Sequence, residues 1–143
     1  MKSEGQKINV IEAIDGELVT NKMTHTFRNF GEHTESDPEN DILKIAVVNR
    51  YNQAPPALSF IKNFGIKRGA IASSVGHDSH NITVVGVDDE SICRAVNLVI
   101  GAKGGLSAVD GSKERIVELP VAGLMSNRDG YKIADEYIQL DQM

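Results

Sequence analysis

The feature that most constrains the fold is the run DILKIAVVNRY at positions 41–51. Isoleucine, leucine, alanine and valine occupy both alternating sides of this run, so neither face of a strand formed here would be polar. A strand of this kind is typical of the centre of a sheet that is covered on both faces. A second nearly apolar run, NITVVGV at 81–87, predicts another inner strand. The chain therefore predicts a sheet with other layers packed on it.

Helical patterns accompany these strands. Asp88 suits an N-cap, and an apolar stripe at helical spacing follows it, formed by Ile92, Ala95, Val96 and Val99. The spacing also predicts a short helix between Pro56 and Gly65 and a final helix over 131–140. Strands and helices are mixed without strict alternation. This mixture predicts an α+β fold, in which helices pack on a mixed or mostly antiparallel sheet.

Turn signals divide the rest of the chain. Residues 7–14 alternate partly and precede Asp15-Gly16, which predicts a hairpin with a short second run at 17–20. Asp110-Gly111 predicts a second hairpin. Residues 21–40 are polar and irregular, so they predict a long loop, and a loop of this length in a compact domain is often functional.

Length and charge limit the number of domains and the kinds of binding partner that this protein can have. A chain of 143 residues predicts one domain over 1–143. The net charge of −5, without clusters of lysine and arginine, argues against a nucleic-acid surface and against binding to an anionic membrane. Cys93 is the only cysteine, so no disulfide can form within the chain. With no apolar run of about 18 residues to span a bilayer, we expect a cytoplasmic location.

The polar stretch GAIASSVGHDSHN at 69–81 concentrates the groups that can carry chemistry. A histidine with a pKa of about 6.5 can exchange protons near neutral pH, and Asp78 could orient one imidazole ring. The alternative is a polar turn whose side chains bond the backbone. The candidate pocket or interface residues are Ser73, Ser74, His77, Asp78, His80 and Asn81.

Neither a metal site nor a nucleophile is complete in this stretch. A metal site needs three or four converging ligands, and only His25 and His33, in the polar region before residue 41, could fold back to supply more. We therefore expect no metal to be held by this chain. No Gly-x-Ser-x-Gly sequence occurs, so a serine hydrolase is not indicated either.

Four stretches, taken in order, resemble one family. This family is the C-terminal domain of bacterial adenine deaminase, in the amidohydrolase superfamily. The stretches that resemble it are DILKIAVVNRY (41–51), FGIKRGAIASSVGHDSHNITVVGVDDESICRAVN (64–97), GLSAVDG (105–111) and ELPVAGLMS (118–126). The segment INVIEAIDGELVTN (8–21) resembles the start of that domain. A single stretch would be a weak match, whereas the ordered set is specific.

The resemblance implies a function in purine metabolism. Enzymes of this family hydrolyse adenine to hypoxanthine and ammonia, using divalent metal, often iron or manganese, bound on a (β/α)8 barrel. Such a barrel takes about 250 residues, so this chain cannot contain it. The resemblance implies a C-terminal fragment or accessory domain that is inactive alone and has the barrel as its partner, in cis or in trans.

The resemblance also suggests a place for the polar stretch. We expect 73–81 to face the barrel, with His77, Asp78 or His80 lining the purine pocket or the domain interface. Two alternatives stay open. One is a free-standing module that binds a purine or regulates a separate barrel chain. The other is a domain that only supports homo-oligomerisation.

Overall fold

A computed structural model of the chain describes residues 5–27, 34–76 and 79–143. Across these residues, one sheet of eight strands carries two α-helices, which confirms the predicted α+β class. The strands are β1 (Gln6–Ala13), β2 (Thr20–Phe27), β3 (Ile42–Val48), β4 (Ala57–Lys62), β5 (Ala70–Ser73), β6 (Ile82–Gly86), β7 (Gly105–Asp110) and β8 (Lys113–Glu118). The helices are α1 (Asp89–Gly101) and α2 (Gly130–Asp141), and a 3₁₀ turn covers Pro38–Asn40.

The strands lie in the order β2-β1-β4-β3-β6-β5-β7-β8. Neighbouring strands run antiparallel except β1 and β4, which are parallel and matched at Ile11 with Ile61 and at Glu12 with Lys62. The sheet is therefore mixed and mostly antiparallel, as predicted. The central position of β3, between β4 and β6, confirms the prediction made from its apolar run.

Helix α1 covers one face of the sheet. Its N-cap is the predicted one, because Oδ1 of Asp88 accepts a hydrogen bond from the backbone N–H of Ser91 at 2.8 Å. The hydroxyl of Ser107 donates to the carbonyl oxygen of Ala95 at 2.8 Å and ties the helix to β7. The buried cluster under the helix comprises Ala46, Ala70, Ala72, Ile82, Val84, Ala95, Val96, Val99 and Val109. Burial of these side chains is the main force that holds the layers together.

Helix α2 lies on the opposite face, beside β8. Nη1 of Arg115 on β8 donates to the side-chain oxygen of Gln139 at 3.0 Å. Arg128, just before the helix, makes two hydrogen bonds of 2.8 and 2.6 Å to the Glu136 carboxylate, which raise the pKa of the guanidinium. This helix leaves part of the second face open, so Ile71 on β5 is 40% exposed.

The predicted helix between Pro56 and Gly65 is wrong, since residues 57–62 form strand β4. Its apolar residues fit helical spacing, but β3 offers a long edge to pair with, from Ile42 opposite Lys62 to Val47 opposite Ala57. Pairing satisfies the backbone groups of both strands at once, and this non-local gain overrides a weak local preference.

The predicted loop over 21–40 is also partly wrong. Strand β2 pairs with β1 along its whole length, from Thr20 opposite Ala13 to Phe27 opposite Gln6. The inward side chains alternate, with Met23 packed against the cluster that includes buried Phe27. The alternation of inward and outward side chains was present in the sequence, but the polar residues between Met23 and Phe27 favoured the prediction of a loop. Residues 28–33 lie outside the described part of the chain.

Candidate functional site

The candidate residues that the structure describes lie at one end of the sheet. The segment 74–81 joins the end of β5 to the start of β6. The strand registers bring the segments after β3, before β7 and after β8 to the same end. Four connections therefore meet around the polar stretch singled out in the sequence.

Ser73 closes β5 on the face opposite α1. It is half-buried, and its hydroxyl oxygen accepts a hydrogen bond from the backbone N–H of Val75 at 2.9 Å. This contact is a local turn of the kind that serine often makes at a strand end. The side chain also lines an open cavity on the second face of the sheet.

Ser74 is fully buried and points into the protein. Its hydroxyl oxygen accepts from the backbone N–H of Gly105 at 2.8 Å, and the hydroxyl donates to the carbonyl oxygen of Gly123 at 2.6 Å. The hydroxyl thus satisfies a donor and an acceptor that the interior would otherwise leave without a partner. In this structure Ser74 connects three segments of the chain.

Arg50 is a residue of this site that the sequence alone did not reveal. Its guanidinium donates to three backbone carbonyl oxygens, those of His80 at 3.1 Å, Ala122 at 3.2 Å and Lys103 at 3.1 Å. Gly123 gives it room, because a Cβ at that position would overlap the guanidinium. The only signal in the sequence was an arginine two residues after the central strand, which says nothing about partners 30 to 72 residues away.

His80 and Asn81 end the segment in a constrained backbone. His80 has φ of +49°, in the left-handed region that costs a residue with a side chain about 1–2 kcal/mol. The side-chain oxygen of Asn81 accepts from the backbone N–H of Arg50 at 3.3 Å. Nδ1 of His80 is buried and has no hydrogen-bond partner within residues 5–27, 34–76 and 79–143. Strained backbone of this kind often occurs at functional sites.

The other two candidates, His77 and Asp78, lie outside the described residues. Their roles stay predictions. Of their described neighbours, Gly76 is half-buried and Ser79 is exposed.

The described residues do not fit a metal site. Among them, no group of three or more histidine, cysteine, aspartate or glutamate side chains comes close enough to hold an ion. His25 lies on β2 and pairs with Asp37, with 3.3 Å between Nε2 and Oδ2. Four strands separate β2 from β5, which places His25 roughly 24 Å from the candidate segment at about 4.8 Å per strand. His25 therefore does not complete a site with His80, and His33 lies outside the described residues.

Comparison with known proteins gives the family. Residues 17–143 match the model of a family described as the adenine deaminase C-terminal domain. The chain belongs to this family. The match includes seven of the eight strands and both helices, so the adenine deaminase C-terminal domain corresponds to nearly all of the fold described above.

Individual adenine deaminases agree with this assignment. The chain is 48% identical over 144 residues to an adenine deaminase of Methanosarcina acetivorans, covering 99% of this chain and 26% of that protein. It is 45% identical over 134 residues to one from a Sulfurovum species, covering 94% and 24%. It is 41% identical over 143 residues to one from Methanothermobacter thermautotrophicus, covering 99% and 27%. The chain thus spans about a quarter of the length of these relatives and corresponds to their C-terminal domain.

Within the described residues, neither helix is long and apolar enough to cross a lipid bilayer.

Proposed function

We infer that this chain serves as the C-terminal part of an enzyme that hydrolyses adenine to hypoxanthine and ammonia. The observation that carries the proposal is identity of 41–48% along 94–99% of the chain to proteins named adenine deaminase, of which it covers only 24–27%. Among the described residues, no metal ligand set comes together. We place the hydrolytic step in the remaining three quarters of such an enzyme.

The role of this domain is to present the segment 73–81 to that catalytic portion. Two inner contacts support this role. Ser74 and Arg50 hold the segment from behind, through Gly105, Gly123 and the carbonyl oxygen of His80. Val75 and Ser79 are exposed at this end of the sheet, where an interface with the catalytic portion would form.

His77, Asp78 and His80 are the residues that would line the purine pocket or the interface. Imidazole and carboxylate groups can donate and accept the protons that a purine ring and a leaving amine require.

A chimera tests the activity. The C-terminal part of the Methanosarcina acetivorans enzyme is replaced by this chain, and ammonia release from adenine is measured with iron or manganese present. We expect the chimera to turn over adenine and the isolated 143-residue chain to release no ammonia under the same conditions. Turnover by the isolated chain, or micromolar binding of adenine or hypoxanthine to it in calorimetry, would instead favour a free-standing purine module.

Single substitutions in the same chimera test the placement of the segment. His77→Ala, Asp78→Ala and His80→Ala are compared with His25→Ala, a histidine on the far edge of the sheet. We expect at least one of the three to lower kcat/KM tenfold or more, because a group that lines the purine pocket or the interface is removed, and His25→Ala to leave kcat/KM unchanged. If all three variants keep both kcat/KM and domain docking, the segment does not face the catalytic portion.

A further inference from the structure

The second face of the sheet carries an open apolar trough. A row of side chains crosses four strands on this face, because direct partners in antiparallel strands point to the same side. The register makes this row Ile45, Val85, Ile71 and Ala108. The floor of the trough is therefore apolar over the width of β3, β6, β5 and β7.

The trough is concave. Phe64 and Ile66 line it before β5, and Tyr137 and Leu140 line it from α2. The cavity between them has a volume of about 810 Å³. Three of its large apolar side chains are well exposed: Phe64 at 39%, Ile71 at 40% and Tyr137 at 50%.

Concave surfaces lined by exposed large apolar side chains are typical of contacts with another protein segment or a ligand. A purine would need several converging donors and acceptors. The hydroxyls in the trough are those of Ser73, which already accepts from Val75, and Thr83. The charged lining residues are Lys67, Arg68, Asp110 and Asp141, of which Arg68 and Asp110 bond each other at 2.7 Å. The chemistry of the trough suits apolar side chains of a protein segment.

The shape argues against a second copy of this chain. A two-fold dimer places the same patch against itself, so the patch must be self-complementary. Two concave troughs placed face to face would leave their volumes unfilled, and unfilled volume forfeits dispersion contacts. A convex segment from elsewhere would fill the trough.

We propose that the trough is the docking site for an apolar segment of the catalytic portion of the enzyme. This proposal rests on the proposed function, since the relatives contain about three quarters of their length beyond the part that this chain matches. The trough is continuous with the candidate segment, because Ser73 and Val75 line it. One docked body would therefore cover the trough and contact Ser73 and Val75.

Thiol labelling measures whether the trough is covered. Cys93 is exposed and is first replaced by serine. Ile71→Cys then places a thiol on the trough floor, and Leu58→Cys places a control thiol on the α1 side of the sheet, where Leu58 is 76% exposed. Labelling of each site is followed by mass spectrometry in the isolated chain and in the Methanosarcina acetivorans chimera.

We expect Cys at position 71 to react at least tenfold more slowly in the chimera than in the isolated chain, and Cys at position 58 to react equally in both. Equal reactivity at position 71 would overturn the proposal. Protection at position 71 that rises with the concentration of the isolated chain would also overturn it, in favour of a second copy.

A charged substitution separates this proposal from the proposed function. Ile71→Asp in the chimera should increase cleavage between the two portions by a protease, while the isolated variant unfolds within a few degrees of the parent. A chimera that deaminates adenine with position 71 still open would leave the proposed function standing and the trough proposal refuted. A chimera that protects position 71 but does not deaminate adenine would support the trough proposal and refute the proposed function.

Discussion

The Nη1 atom of Arg50 donates a hydrogen bond to the carbonyl oxygen of His80 at 3.1 Å. This bond joins the end of the central strand to the end of the candidate segment. The same guanidinium reaches Lys103 and Ala122, so one side chain fixes three connections at one end of the sheet. The conformation in which His80 is presented therefore depends on a residue outside the polar stretch.

Replacement of Arg50 by alanine should destabilise the protein. Three hydrogen bonds from a charged group to carbonyl oxygens are lost, and we expect the free energy of unfolding to fall by about 1.5–3 kcal/mol. Urea denaturation of the isolated chain measures this change. Arg115→Ala is the matched control, because it removes one exposed hydrogen bond to Gln139 and should change stability by no more than about 0.5 kcal/mol. Equal effects of the two substitutions would contradict the role assigned to Arg50.

Ser74→Ala should also lower stability, by about 2–4 kcal/mol. The substitution leaves the buried N–H of Gly105 and the carbonyl oxygen of Gly123 without the hydroxyl that now bonds them. Ser73→Ala is the neighbouring control and should cost less than about 1 kcal/mol, since its single bond is to an exposed turn. Thermal unfolding of both variants provides the comparison, and a Ser73 variant that is the less stable of the two would refute this reading.

Acid should remove a contribution from Asp37. A hydrogen bond from the side chain of Asn40, at 2.8 Å, is the main cause that lowers the pKa of this carboxyl below 3.8, and His25 adds to the effect. A depressed pKa in the folded state means that the contribution is present above the unfolded value and is lost as the pH falls through the folded value. The loss therefore occurs below about pH 4.

Asn40→Ala should shift the pKa of Asp37 upward and make stability less dependent on pH in that acid window. Titration of the Asp37 carboxyl by NMR measures the shift directly. Asn52→Ala, an exposed asparagine elsewhere in the chain, should leave the titration as it is. An unchanged Asp37 pKa in the Asn40 variant would show that the hydrogen bond is not its cause.

Two glycines with nearly the same backbone conformation should respond differently to alanine. Gly16 has φ of +76° and open space around it, so Gly16→Ala should cost only the backbone strain of about 1–2 kcal/mol. Gly69 has φ of +79°, and a Cβ there would overlap the carbonyl oxygen of Val109 on the next strand. Gly69→Ala should therefore cost at least about 2 kcal/mol more than Gly16→Ala in urea denaturation. Equal losses would mean that β7 can move away without penalty.

Several elements could be predicted because their signals are local. The apolar run of β3, the Asp88 cap with its helical stripe, and the Asp110-Gly111 turn each specify their structure within about a dozen residues. Strand β4 was missed because its apolar residues fit either period, and pairing with β3 decided the outcome. The contacts of Arg50 and Ser74 were missed because their partners lie 30 to 72 residues away.

The sequence by itself determined the family, the α+β class and the place of the polar stretch between two inner strands. Only the tertiary structure decided which way Ser73 and Ser74 face, what holds His80, and which face of the sheet stays open. The physical reason is the range of the interactions. Local periodicity and turn chemistry depend on neighbouring residues, whereas burial, shared hydrogen bonds and concave surfaces arise only when distant segments pack together.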